Sequence, residues 1–287
     1  LQKETPMSTI LIAGCGDVGS RLGLQLVAQG HRVFGLRRNV TALPALLLPV
    51  AGDLAEVQPP ADWPREPLDQ VIYATAATHH DEAGYRAAYV DGLRHLLGWL
   101  AACGQRPRRL LFVSSSGVYA QQDGAWVDET APAEPERFSG RLLREAEEVA
   151  LGSGIPASVV RLTGIYGPGR ETLLRQVREG SRVTREPPLY GNRIHVEDAA
   201  GLLALLLQRD REGVALDDLY LGVDDDPAPL DEVVDWLRAR LGITTWSDDA
   251  QLRRAGSKRC SNARARALGW TPRYPSYREG YAAILDR

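Results

Sequence analysis

The stretch TILIAGCGDVGSRLGLQLVAQG, residues 9–30, decides the fold. Ile10, Leu11, Ile12 and Ala13 form an unbroken apolar run that ends at Gly14, which predicts a short strand buried on both faces. Val18, Leu22 and Leu26 then recur at helical spacing until Gly30 stops the run, which predicts a helix. Between the two lies Gly14-Cys15-Gly16-Asp17-Val18-Gly19, a G-x-G-x-x-G sequence. Alone such a match is weak. A strand directly before it and a helix directly after it turn it into a dinucleotide-binding fingerprint. Gly14 permits the tight turn, Gly16 lets the backbone approach a pyrophosphate, and Gly19 lets helix and strand pack closely. The helix start offers free N–H groups to the phosphates. Cys15 and Asp17 read as residues chosen by the loop's shape.

The same alternation continues outward. HRVFGLRR (31–38), a third strand ahead of AGDLAE (51–56), LDQVIYATAA (68–77), PRRLLFVSSS (107–116) and PASVVRLTGIYG (156–167) read as strands. AGYRAAYVDGLRHLLGWLAAC (83–103) and a charged amphipathic segment opening with ERFSGRLLREAEE (136–148) read as helices. This pattern predicts an α/β fold, a Rossmann-type doubly wound parallel sheet. Beyond Gly167 the pattern loosens into helices, one short extended piece, one further strand and a Trp/Pro/Tyr-rich tail. The expected division is a dinucleotide-binding domain over 7–165 plus about 195–225. A smaller discontinuous substrate-side lobe is expected over about 166–194 and 226–287, with residues 1–6 an unstructured lead-in.

The chain has 287 residues, 44% of them hydrophobic and 25% charged, with a formal net charge of −3. That is the profile of a soluble globular protein, and the mixed charge offers no basic face for nucleic acid. No apolar run approaches the roughly 20 residues that span a bilayer. Cys15, Cys103 and Cys260 are far apart and lack metal-ligand spacing, so a reduced, cytoplasmic setting without a bound metal is expected.

The second strand ends in Arg37-Arg38, where NAD sites tend to carry an acid for the ribose 2′-hydroxyl. Guanidinium groups suit a 2′-phosphate in charge and geometry, so NADP(H) is expected over NAD(H). Asp53 and Leu54 are placed to meet the adenine, and Ala74, Thr75 and Ala76 to lie along the cofactor. His79 and His80, in the loop after the fourth strand, are candidates for moving a proton.

Five further segments carry a resemblance: FVSSSGVYA (112–120), DETAPAEP (128–135), RLTGIYGPGR (161–170), NRIHVEDAA (192–200) and LGW (268–270). With the glycine loop, they make the chain similar to the extended short-chain dehydrogenase/reductases, the group of nucleotide-sugar epimerases and dehydratases, and closest to their atypical subgroup. The resemblance implies a substrate-polarising role for Ser115. The register of the family's Tyr-x-x-x-Lys falls on Phe138 and Leu142, and its asparagine on Asp91. Tyr119 would support the loop, Tyr166 would lie near the substrate, and Arg193 and His195 would belong to a structural junction. Arg141, His79 and His80 are the candidate substitutes for the lost groups. The family also implies a monomer or a homodimer formed through residues 84–103 and 137–151.

Two readings follow. One is an NADP(H)-dependent reductase, epimerase or dehydratase of a small polar or nucleotide-linked carbonyl or hydroxyl compound. The other is a catalytically inactive NADPH-binding sensor or regulatory protein.

Overall fold

The computed structural model of the chain describes residues 7–248, 251–252 and 256–286. The expected lead-in, residues 1–6, lies outside the described residues. The opening stretch forms strand β1 (Thr9–Ala13) and helix α1 (Asp17–Ala28). Strands β2 (Arg32–Arg37), β3 (Leu48–Ala51), β4 (Gln70–Tyr73), β5 (Arg109–Ser115), β7 (Ala157–Leu162) and β10 (Leu219–Gly222) complete a seven-stranded sheet. Its order is β10-β7-β5-β4-β1-β2-β3, with parallel pairing in the four ladders from β5 to β3. The order reverses between β1 and β4. In a doubly wound sheet that reversal opens a crevice at the carboxyl ends of the strands, where dinucleotides bind.

The chain divides into two compact units. The first comprises Leu1–Val118, Ala133–Arg161 and Ala200–Tyr220. The second comprises Tyr119–Pro132, Leu162–Ala199 and Leu221–Arg287. Residues 119–132, read from the sequence as part of the sheet domain, therefore cluster with the second unit, and the crossings fall at 161, 199 and 220. Among the described residues, no helix is long and apolar enough to cross a membrane.

In the first unit, Val71, Tyr73, Leu96, Trp99, Leu110 and Phe112 form the centre of one buried cluster. The helical segment at 83–103 is not uniform. It runs as α2 (Glu82–Tyr85), a wider π-type stretch over Arg86–Asp91, and α3 (Gly92–Ala102). The cause lies in the sheet beneath it: the Ala88 carbonyl accepts from the Tyr73 hydroxyl at 2.6 Å and the Thr75 hydroxyl at 3.0 Å. Side chains inserting into a helical ladder are a known origin of such irregularity.

The second unit has its own core of Tyr166, Leu174, Val177, Val233, Val234, Leu237, Tyr277 and Tyr281. These side chains come from β8 (Gly164–Tyr166) and the helices α5 (Thr172–Arg178), α7 (Leu230–Leu241) and α9 (Tyr277–Leu285), between which the chain also forms α6 (Val196–Arg211) and α8 (Ala263–Ala267). Two short parallel ladders accompany it. One pairs β8 with β9 (Arg193–His195), and the other pairs β6 (Ala125–Val127) with β11 (Lys258–Cys260).

Helix α4 (Phe138–Leu151) carries a carboxylate into the core of the first unit. Glu147 is 1% exposed and accepts from Ser114 Oγ of β5 at 2.6 Å. Arg161 of β7, 2% exposed, grips both carboxylate oxygens at 2.9 and 2.6 Å. Two strands are thus tied to one helix through a fully buried, bidentate ion pair. Removing one partner strands the other charge. Glu147→Leu is expected to cost about 3–5 kcal/mol, read as a lower urea midpoint at unchanged slope. The double variant E147L/R161M should recover much of the loss because no unpaired buried charge remains; a single variant that unfolds like wild type would refute this account.

Candidate functional site

The glycine loop is set by hydrogen bonds from the neighbouring strand. The N–H groups of Gly14 and Cys15 both donate to the Leu36 carbonyl at 3.0 Å, and Gly16 N–H donates to the Gly14 carbonyl at 2.7 Å. Gly14 has φ +80°, and a Cβ there would lie 2.6–2.7 Å from Thr75 atoms of both backbone and side chain. A Cβ on Gly19 would meet Ile12 Cγ2 at 2.9 Å, so α1 and β1 pack as closely as glycine allows. Gly16 differs: a Cβ would have nothing nearer than 3.9 Å. The backbone at Gly16 is therefore open, as a pyrophosphate would require. No side chain caps α1, which leaves its first N–H groups to an anion. Cys15 is buried and its thiol is pushed up to about 11 by desolvation, so it stays a thiol that fills space.

Beside this cradle, Arg37 Nη1 donates to the carbonyls of Cys15 at 3.3 Å and Ala42 at 3.4 Å. Arg38 is exposed and donates from Nη2 to Thr78 Oγ1 at 3.1 Å. Asp53 turns back on its own loop, accepting from Ala55 N–H at 3.1 Å. Leu54 packs against the main cluster, and its carbonyl accepts from His95 Nδ1 at 2.8 Å. Ala74 N–H donates to the Ala13 carbonyl at 2.8 Å, which seats Ala74, Thr75 and Ala76 next to the glycine turn. The glycine loop, Arg37–Arg38 and Ala74–Ala76 thus lie at the carboxyl ends of β1, β2 and β4, and Asp53 and Leu54 follow the carboxyl end of β3.

At the end of β5, Ser115 Oγ accepts from Gly117 N–H at 3.1 Å. Helix α4 begins close by: a Cβ on Gly140 would be 3.1 Å from the Gly117 carbonyl. Leu142 is buried in the main cluster and Phe138 packs against it. The Phe138 ring meets Tyr85 edge-on, with centroids 5.6 Å apart, and Tyr85 in turn lies 6.4 Å from the exposed His80. His79 is exposed in the same loop. Asp91 pairs with Arg94 at 3.7 Å. Arg141 reaches back to the Glu136 carbonyl. Tyr89 is pushed up by burial, with the Ala77 N–H pulling it part of the way back.

The remaining candidates lie in the second unit. Tyr166 is buried, and its hydroxyl donates to the Ser276 carbonyl at 3.4 Å. Desolvation raises its pKa steeply, so this phenol holds its proton. His195 packs against the Tyr274 ring at a tilt, with centroids 4.0 Å apart, and accepts at Nδ1 from Glu197 N–H. Tyr119 donates to the Asp128 carbonyl at 2.9 Å. Buried Asp224, beside Arg193, and buried Glu147 in the first unit were not singled out in the sequence. Glu147 had a signal, lying four residues after Leu143 on the same helix face. Asp224 had none, standing in the run Asp224-Asp225-Asp226.

Comparison with known proteins agrees with this geometry. The NAD dependent epimerase/dehydratase family matches residues 10–222, most of the chain. The chain belongs to that family. A solved epimerase/dehydratase-type protein from Methylobacillus flagellatus is 35% identical, with a TM-score of 0.80 and 98% of each chain covered. A Streptomyces protein named 3-diazoavenalumate denitrifying reductase is 27% identical over 311 residues, covering 94% of this chain and 98% of its own. Protein YeeZ of Escherichia coli K12 is 29% identical over 214 residues, 72% of this chain and 76% of its own. The protein is thus a member of the epimerase/dehydratase family of oxidoreductases, whose members take a nicotinamide dinucleotide, and the glycine cradle fits that group.

Two alanine variants separate the loop's tasks. Gly14→Ala should destabilise the fold outright, through both its positive φ and the clash with Thr75. Gly16→Ala should melt like wild type yet bind dinucleotide about tenfold or more weakly, since its methyl occupies the phosphate approach. Thermal melting and nicotinamide fluorescence titration check both; unchanged binding in Gly16→Ala would refute the assignment.

Proposed function

We propose that the protein is an NADP(H)-dependent reductase, epimerase or dehydratase of a small polar or nucleotide-linked carbonyl or hydroxyl compound, working without the family's Tyr-x-x-x-Lys pair. The observation that carries the cofactor choice is the Arg37-Arg38 pair at the end of β2, beside the glycine cradle. Arg38 is the exposed member, with only a hydroxyl to release, and is assigned to the 2′-phosphate. Arg37 holds the loop from below through the Cys15 carbonyl. Asp53 and Leu54 face the adenine end, and Ala74 to Ala76 leave room along the cofactor's length. A bound nicotinamide supplies the hydride chemistry.

On the protein side, Ser115 is assigned to the substrate. Its Oγ already accepts from Gly117 N–H, which leaves its own proton to donate to a substrate oxygen. Phe138 and Leu142 move no proton. The chain contains two lysines, Lys3 and Lys258. Lys258, the one within the described residues, is buried in the second unit and donates to the Tyr119 carbonyl at 3.1 Å. That arrangement supports a site in which no lysine lowers a phenol's pKa. The Streptomyces relative, named as a reductase acting on a diazo compound, supports the reductive direction.

The apolar start of α4 also favours the second reading, a protein that binds NADPH and passes on its redox state without turnover. Two measurements separate these. Arg38→Ala should weaken NADPH binding about 10–100-fold, the worth of a charge-assisted contact, while NADH binding changes little; equal affinity of wild type for both would overturn the NADP(H) assignment. Following NADPH consumption across a panel of aldehydes, ketones and keto-sugar nucleotides should reveal turnover that Ser115→Ala reduces. Micromolar NADPH binding with no turnover on any of them would establish the sensor reading instead.

A further inference from the structure

The second unit holds two buried charges that no described residue satisfies. Arg193 of β9 and Asp224, two residues past β10, are each 2% exposed. The Asp224 N–H donates to the Arg193 carbonyl at 2.8 Å, so the two residues lie side by side. Yet Nη1 and Nη2 of Arg193 and both carboxylate oxygens of Asp224 are buried without a hydrogen-bond partner among the described residues. Arg193 lays its guanidinium against the Tyr277 ring, with 5.7 Å from Cζ to the centroid, which covers one face but leaves the N–H edge unused. The charged and titratable groups acting on Asp224 are Arg193, which pulls its pKa down, and Asp225 and Asp226, which push it up. The Asp226 N–H also pulls it down without closing a hydrogen bond, and Tyr166 feels both Asp224 and Arg193.

An arginine does not lose its proton inside a protein, and a bare buried charge is too costly to leave unsolvated. The terminal nitrogens of Arg193 offer four N–H groups, and the Asp224 carboxylate offers about four acceptor positions. An internal water molecule needs two to four such partners, and here they come from adjacent side chains of opposite sign. An anion would satisfy Arg193 and be repelled by Asp224, and a cation the reverse. A neutral dipole serves both.

We propose that the second unit contains a built-in hydration site, in which ordered water bridges the Arg193 guanidinium to the Asp224 carboxylate as a solvent-separated internal ion pair. Hydrogen bonds from that water hold Asp224 ionised, whereas a dry carboxyl in this position is pushed up to about 8 by burial. The site links β9 to the turn after β10 and does not depend on the cofactor reading.

A crystal structure of the full chain at about 1.5 Å and neutral pH should show water within hydrogen-bond reach of both side chains. A direct Arg193–Asp224 contact, a bound ion, or no density between them would overturn the proposal. The second measurement compares wild type with Asp224→Asn by urea unfolding from pH 5 to 8. An ionised Asp224 binds no proton in either state across that window, so the two stabilities should run parallel. A dry, protonated Asp224 would bind one more proton folded than unfolded, and wild-type stability would fall relative to the variant by up to tenfold in the folding constant per pH unit. That slope would refute the ionised pair. If Asp224→Asn fails to fold, wild type is compared with Arg193→Gln, whose Asp224 has lost its counter-charge. That variant should then lose stability relative to wild type as pH rises from 5 to 8, and parallel curves would refute the ionised pair. The crystallographic arm stands on wild type alone.

Discussion

One carbonyl organises the dinucleotide surface. Leu36 O, at the end of β2, accepts from two consecutive N–H groups, those of Gly14 and Cys15. Two successive amides can point at one acceptor only if the chain turns sharply between them, which is why residue 14 sits at φ +80° and must be glycine. The next residue after that carbonyl is Arg37, whose side chain returns a hydrogen bond to the Cys15 carbonyl. Strand β2 therefore grips the loop by its donors and by its acceptor at once. The register between β1 and β2 sets where the helix start points and also where the arginine pair stands. Because side chains alternate along a strand, a slip of one residue would exchange the directions of Arg37 and Arg38.

The second constraint runs beneath α4. That helix reads in sequence as strongly charged, and a solvated face is the ordinary expectation for Arg144, Glu145, Glu147 and Glu148. Two of these behave so: Arg86 and Arg94 meet Glu145 near the surface, and Glu148 is exposed, while Arg144 turns inward to donate to the Glu147 carboxylate. Glu147 does not. Its carboxylate ties β5 and β7 to the helix, at a position where a hydrophobic residue of similar volume would also have filled the space. An ion pair with bidentate geometry fixes direction as well as distance, so the pair sets the rotation of α4 about its axis. The first turn of the helix, with Phe138 and Leu142, inherits that rotation.

How much of this was readable beforehand follows from the range of each interaction. The strands of the large sheet announce themselves because each is a continuous apolar run ended by glycine or a polar turn, a local signal. The glycine loop was legible for the same reason: its three glycines each answer a local backbone demand. The ladder between β6 and β11 was not, since each strand is three residues long and its partner lies about 130 residues away. The Trp/Pro/Tyr-rich tail was assigned no element from its sequence, yet α9 forms there under a Ser276–Glu279 capping box. The π-type stretch over Arg86–Asp91 depends on hydroxyls of Tyr73 and Thr75 reaching a carbonyl in a different element. No periodicity encodes that. For the same reason Ser115, Phe138 and Leu142 were found by resemblance, and only their coordinates show what each one touches.

The apolar first turn of α4 bears on how its chemistry could have arisen. Phe138 and Leu142 stand four residues apart on one face, and that face is now core: Leu142 is 3% exposed, and Phe138 packs among Tyr85 and the main cluster. A lysine at position 142 would have to bury an ammonium group where no described carboxylate waits for it; Asp91 is already paired with Arg94, and Glu145 with Arg86 and Arg94. Such burial depresses a lysine's pKa and removes the charge that would activate a phenol. On the proposed reading, in which the family's tyrosine–lysine register falls on Phe138 and Leu142, the departure is a repacked helix face and not two exchanged side chains. Any proton the reaction needs must then come from a group outside that face, and Ser115, whose Oγ accepts from Gly117 N–H, is the β5 hydroxyl assigned to the substrate.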